Sequence, residues 1–180
     1  AGFYLKGPDA IISGVTNVLF AFPPLLLALS LTSVMDRNWF TVAVAIAIVY
    51  IPIFIRVARG PVLSLRNIEY VRAAVSTGQS RMAITMRHVL PNITSIIIVQ
   101  VSLSLSWAVL TEASLSFLGL GNPPPAPSLG SMIYEARTLV SVAPWTMVAP
   151  GIVIVLLVVG LNLLGDGLRD SFDPRKRGSS

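Results

Sequence analysis

Apolar residues in this chain do not alternate with polar ones; they run in long blocks separated by short polar turns and one long basic stretch. No charged residue occurs from Ala10 to Met35, Asn38 to Ile55, Val89 to Thr111, Ala113 to Tyr134 or Thr138 to Gly165. A bilayer core of about 30 Å takes roughly 20 apolar residues of helix to cross. A helix at the surface of a soluble core keeps a polar face, and these blocks mostly lack one. The pattern predicts an all-α integral membrane fold with about four transmembrane helices, over 10–34, 39–57, 91–117 and 144–164. Pro23 and Pro24 fall inside the first and predict a kink after Phe22, because proline lacks the N–H that an interior helical position donates. A bilayer tolerates such a break only where neighbouring helices or a wet cavity satisfy the freed carbonyls. Met35-Asp36-Arg37-Asn38 reads as a tight polar turn, Trp39 suits the membrane interface, Pro52 lies within the second span, and Pro91 suits the first turn of the third. The stretch from Gly119 to Pro127 is too rich in glycine and proline to be helical. Beyond it Leu129, Met132, Ile133, Ala136, Leu139 and Val140 recur at helical spacing and predict a short interfacial helix. Trp145 stands near the start of the fourth span, and the charged tail from Asp166 to Ser180 is expected to fray.

Composition agrees with this reading: 54% of residues are hydrophobic and 12% charged, against roughly 25% charged in an ordinary soluble domain. At 180 residues the chain reads as a single domain. With no cysteine and one histidine, His88, it has neither a thiol nor a histidine cluster with which to hold a metal. The opening Ala-Gly-Phe-Tyr-Leu-Lys-Gly-Pro lacks the pattern of a signal peptide and an initiator Met, and reads as a fragment or a processed start. A net charge of +5 raises nucleic acid as a partner, but the basic residues sit at the ends of the spans instead. Four spans put Lys6, Arg56, Arg59, Arg66, Arg72, Arg81, Arg87, Arg169, Arg175, Lys176 and Arg177 on one side, and only Arg37 and Arg137 on the other. Basic residues in short loops are retained in the cytoplasm, so the basic loop (58–90) and both ends of the chain are assigned there. The lipid bilayer, not nucleic acid, is the expected partner of this surface.

The loop has internal organisation. Asn67 can cap a helix over 68–77 with Glu69 in its first turn, where a carboxylate favours the positive end of the helix dipole. Gly78 can supply the left-handed residue that ends it. Ser80 can cap a second helix, with Met82, Ile84, Met86 and Val89 as its apolar residues. Two short amphipathic helices about a glycine make a surface element suited to docking a soluble partner.

Arg72-Ala73-Ala74, Gly78, nine further residues and then His88-Val89-Leu90-Pro91 resemble the EAA loop of ABC importer permeases. The family pattern has Glu where Arg72 stands and Ile where His88 stands. Both departures resemble the dipeptide/oligopeptide branch, as do Glu112-Ala-Ser-Leu-Ser-Phe-Leu-Gly-Leu-Gly121 and Asn162-Leu-Leu-Gly-Asp-Gly-Leu-Arg-Asp-Ser-Phe-Asp-Pro174. Together they look like the second of that branch's two permease subunits. The resemblance implies the type I importer permease fold, a MetI-like helical bundle with a cytoplasmic coupling helix, in a bacterial or archaeal cytoplasmic membrane. It implies a heterodimer with a second permease subunit, two ABC ATPase subunits and an extracytoplasmic binding protein, with no cofactor in this chain. It also implies one or two additional spans before this C-terminal portion. Residues 69–80 should form the coupling helix, and the residues carrying its role are Glu69, Tyr70, Arg72, Ala73, Ala74, Gly78, Ser80, Leu90 and Pro91.

Glu112 lies about 20 residues into the third span, where burying a carboxylate costs roughly 2.5–3.5 kcal/mol and invites a functional reading. Its place near the outer end, beside Thr111, Ser114 and Ser116, equally fits a hydrogen-bonded structural role. Glu112, Ser106 and Pro23 are the candidates for a translocation path. Gln100, Ser102, Ser104 and Ser106 are spaced by two, which on a helix spreads them around the axis as packing contacts. Pro123 to Pro127 reads as a stiff outer connector, and Asp166, Arg169 and Asp170 as residues that fix the last helix's end. No glycine-rich phosphate loop, Ser/His/Asp set or metal-spaced cluster is present, so ATP hydrolysis falls to partner subunits and the chain reads as non-catalytic. The alternatives are import of nickel or glutathione by the same machinery, a passive channel or structural membrane subunit, or a membrane enzyme, which would need paired acid and base groups near a span end.

Overall fold

A computed structural model describes residues 6–172 and is helical throughout its regular elements. The helices are α1 (Lys6–Phe20), α2 (Pro24–Val34), α3 (Trp39–Leu65), α4 (Glu69–Ser76), α5 (Arg81–Ile84), α6 (Leu90–Phe117), α7 (Leu129–Ala136) and α8 (Trp145–Phe172), with a π-turn at Thr85–Val89 between α5 and α6. Arg175, Lys176 and Arg177, and the Asp173-Pro174 end of the third motif, lie outside the described residues. Among the described residues three helices are long and apolar enough to cross a membrane: α3, the continuous helix from Arg81 to Phe117, and α8; α1 and α2 together supply a fourth if the pair is one broken span.

Several boundaries differ from the sequence expectation, each for a local reason. The first block is cut, not merely kinked: α1 stops at Phe20 and α2 starts at Pro24. Pro23 holds extended backbone (φ −57°, ψ 132°) in front of α2, and Pro24 takes a first-turn position where no N–H is needed. The second helix continues past Val57 to Leu65 with Pro52 and Pro61 both inside it, so 58–65 is helix and not loop. Asn38 Oδ1 accepts from the Thr41 N–H at 2.8 Å and caps its start. Pro91 falls in the first turn of α6, as expected, but α6 is continuous through the π-turn with α5, so the helix as a whole runs from Arg81. The interfacial helix closes at Ala136, leaving Leu139 and Val140 in the turns that follow. α8 extends beyond Leu164 to Phe172, so Asp166, Arg169 and Asp170 are helical, while the rest of the charged tail lies outside the described residues.

The chain divides into two compact units. In the described part of the first (6–21, 52–101 and 165–172), α1 is tied to the second half of α3 by polar contacts. Arg59 donates to Asp9 through Nε and Nη2 at 3.1 and 2.6 Å, while Arg56 lies 3.8 Å over the Phe20 ring and reaches Asn17 Oδ1 at 3.3 Å. In the second unit (22–51 and 102–164), Tyr50 and Thr111 hydroxyls pair at 3.0 Å, and Ser106 Oγ lies 3.3 Å from Asn162 Oδ1 on α8. Glycine decides how α7 packs there: Gly130 lies against the α6 backbone at Ala113, and an added Cβ would fall 2.7 Å from both Ala113 Cα and Ser116 Cβ. Outward-facing Val148, Ile152, Val155, Leu156 and Leu163 of α8 are all more than half exposed. Apolar surface on that scale calls for lipid or a protein partner to cover it.

Candidate functional site

The basic loop is built on the end of α3. The Asn67 and Ile68 N–H groups turn back to Ser64 and Leu65 carbonyls at 3.2 and 3.1 Å, which brings the chain round into α4. The residue preceding α4 is then Ile68, extended at φ −75° and ψ 144°, with no side-chain cap; Asn67 is one position too early to serve. Glu69 does occupy the first turn, as expected. Within α4, Val71 and Ala74 are three apart and face inward, while Tyr70, Arg72 and Ala73 are exposed.

Gly78 ends α4 with φ +75°, a left-handed conformation that costs any residue with a Cβ about 1 kcal/mol or more. Gln79 N–H reaches Ala74 O at 3.2 Å and Gly78 N–H reaches Val75 O at 3.1 Å. That pair of bonds is a Schellman closure, satisfying carbonyls the helix end would otherwise strand. Two residues on, Ser80 Oγ accepts from the Ala83 N–H at 3.2 Å and caps α5. The helical part of the segment is therefore 69–76, and 77–80 form the turn.

The sequence does not announce the π-turn. Leu90 N–H bonds to Thr85 O, five residues back instead of four. Residues five apart are thereby stacked on one side, and Ile84 and Val89 both bury to 1% exposure against Val71 and Ala74, with Val62 and Leu65 alongside. Met82 and Met86, expected among the apolar residues of this helix, are exposed instead. The turn also meets Pro91, which has no N–H for the preceding turn, and Asn92 Nδ2 donates to the His88 carbonyl at 2.7 Å. The His88 ring lies 6.0 Å from Tyr70, and its Nε2 is buried without a hydrogen-bond partner. Leu90 and Pro91 are exposed at the start of α6.

Beside α4 is a hollow of about 720 Å³ lined by Arg66, Asn67, Arg72, Val75, Ser76, Gln79, Arg81 and Ile84. Its three arginines come from the turn just after α3, from α4 and from α5, so no single helix displays them together.

Of the expected site residues, the loop set from Glu69 to Pro91 thus comes together in the first unit, around a small core of its own. Pro23, Ser106 and Glu112 belong to the second unit and make no hydrogen bond to one another. Ser106 is 4% exposed, with its hydroxyl near Ser102 O at 3.2 Å, Val158 O at 3.5 Å and Asn162 Oδ1 at 3.3 Å, which is a helix-packing environment. Ser102 and Ser104 are buried too. Glu112 is half-buried and accepts from Ser116 Oγ at 2.6 Å. Pro23 is exposed.

A family described as binding-protein-dependent transport system inner membrane component matches residues 2–178. The dipeptide transport system permease protein DppC of Alkalihalophilus pseudofirmus is 41% identical over 177 residues, 98% of this chain and 58% of the relative. The glutathione transport system permease protein GsiD of Pectobacterium atrosepticum is 44% identical over 175 residues, 97% of this chain and 58% of the relative. GsiD of Shigella flexneri is 43% identical over 170 residues, 94% of this chain and 56% of the relative. The chain therefore spans somewhat over half the length of these curated relatives.

Proposed function

The chain belongs to the binding-protein-dependent transport system inner membrane components, and on that footing we propose that it is a permease subunit of an ATP-driven importer of short peptides. The observation that carries the coupling part is the construction of the loop. α4, the Gly78 turn and α5 enclose their own apolar core, and α5 continues without a break into a 37-residue helix long enough to cross the bilayer. A soluble ATPase docking on α4 would then act on the end of a membrane helix directly, through packed side chains instead of a slack linker. Glu69, Tyr70, Arg72, Ala73, Ala74, Gly78 and Ser80 form the docking element, and Leu90 and Pro91 lie where it meets the membrane helix.

In this reading a second permease subunit completes the path, two ATPase subunits drive it and an extracytoplasmic binding protein delivers substrate. The exposed apolar sides of α8 supply surface for lipid and for the partner permease. The loop and both chain ends lie in the cytoplasm, as the distribution of arginines favours. Relatives named for dipeptide and for glutathione transport match about equally well, so small peptides, glutathione among them, form the substrate class. Glu112 serves the fold through Ser116 more directly than it serves a path.

Uptake measured in membranes that hold every partner subunit tests the assignment. Gly78→Pro or Glu69→Arg is expected to abolish ATP-coupled uptake of labelled dipeptide. Unchanged uptake in both variants would show that the loop does not couple. Competition between labelled dipeptide and glutathione then identifies the preferred cargo.

A further inference from the structure

From Arg56 to His88 the chain carries six arginines and one carboxylate, Glu69. Folding concentrates half of that positive charge, because Arg66, Arg72 and Arg81 all line the hollow beside α4. Neither Arg66 nor Arg72 has an ion-pair partner among the described residues. Guanidinium groups gathered round one concavity repel one another until an anion enters, and a carboxylate or phosphate oxygen pair matches their planar fork of donors. Asn67, Ser76 and Gln79 add neutral polar groups to the rim, and Val75, more than half exposed, adds an apolar one.

Depth separates the two sources of such an anion. Counted from Trp39, about 20 residues of α3 cross the hydrocarbon core, which brings the chain to Arg59. Arg56 and Arg59 therefore stand at headgroup level. Arg66 lies seven residues further, roughly 10 Å at 1.5 Å per residue, whereas the headgroup layer adds only about 5–7 Å on each side. On this count the hollow opens at or beyond the outer edge of the headgroup layer, within reach of a soluble protein.

We infer that this hollow receives an acidic side chain of the cytoplasmic ATPase subunit, held by Arg66 and Arg72, with Val75 in apolar contact at its edge. The inference rests on the permease reading above and adds to it the charge of the partner's surface: the ATPase groove facing α4 presents a carboxylate.

The test uses the complete importer in lipid nanodiscs, stripped of its ATPase subunits, with labelled ATPase subunits titrated back at low and at high salt. Replacing both Arg66→Gln and Arg72→Gln is expected to weaken binding about tenfold or more at low salt and to flatten the salt dependence, since charged contacts at an interface set both. Lysine at the same two positions keeps the charge and is expected to retain most of the affinity, which separates loss of charge from misfolding. Wild-type affinity and salt slope in the double glutamine variant would overturn the inference while leaving the permease reading intact. Failure of the unaltered importer to bind ATPase subunits would overturn both. The same titration in nanodiscs of purely zwitterionic lipid covers the remaining source. If the double variant is weakened only when anionic lipid is present, a headgroup occupies the hollow and the inference fails.

Discussion

Replacing Gly130 with alanine sets two well-understood effects against each other. Alanine is favoured over glycine inside a helix by up to about 1 kcal/mol, so on propensity alone Gly130→Ala stabilises α7. Packing acts the other way. The new methyl would lie 2.7 Å from Ala113 Cα and 2.7 Å from Ser116 Cβ, and closer still to Ala113 O, whereas ordinary contact begins at 3.4 Å. α7 must therefore lift from α6 by more than about 0.7 Å, because the nearest obstacle is backbone and cannot rotate away. Forcing a methyl into a packed site costs typically 1–3 kcal/mol, and a backbone obstacle puts this case in the upper part of that range. The net expectation is a loss of about 1–2 kcal/mol, or roughly 2–8 °C in melting temperature for a domain of this size. The assay is thermal unfolding of the full-length permease in detergent, with Gly160→Ala as the control. Gly160, in α8, has nothing within 4 Å of the position its Cβ would take, so there propensity acts alone and no loss is expected. A Gly130→Ala protein that melts at or above the wild-type temperature would refute the packing described for α7.

Ser116→Ala removes the donor 2.6 Å from Glu112 Oε1 and leaves a half-buried carboxylate unpaired; a loss of about 1–3 kcal/mol is expected, read as a melting shift that Glu112→Gln reproduces only in part. Val89→Ala empties space in the small core with Val71, Ala74 and Ile84. About 2 kcal/mol is expected from the lost methyl groups and the cavity, seen as faster amide hydrogen exchange in α4 with little change in the membrane helices. Ser80→Ala removes the cap on α5 and is expected to cost about 1 kcal/mol, with exchange accelerating first at Ala83.

The chain is legible where its chemistry is local. The Gly78 turn and the Ser80 cap depend on residues within a few positions of one another, and both formed as expected. The apolar blocks are long enough that their helices were visible without any knowledge of contacts. Helix ends were harder. Pro52 and Pro61 sit inside α3 and Pro91 inside the long helix from Arg81, because packed or membrane-embedded helices can carry a proline that would end an isolated one. Asn67 has a capping side chain, but the turns back to Ser64 and Leu65 make Ile68 the boundary residue. The loop stands out as a motif, whereas its hollow does not: Arg66, Arg72 and Arg81 are six and nine residues apart and converge only when the end of α3, α4 and α5 fold against each other. Nor does composition reveal Gly130 or the Ser106–Asn162 approach, which depend on partners many residues distant.

The π-turn separates chain length from angular phase. In an uninterrupted α-helix each residue advances about 100°, so Ile84 and Val89, five positions apart, would point about 140° from each other. The widened turn absorbs that surplus and lets both side chains enter one core. Removing one exposed residue such as Met86 would leave Ile84 and Val89 four positions apart, about 40° from alignment in ordinary helix. The loop core would still close. The segment 85–89 is thus a site at which this helix can lose a residue without rotating its buried face into water, so a permease one residue shorter here can retain the same loop core.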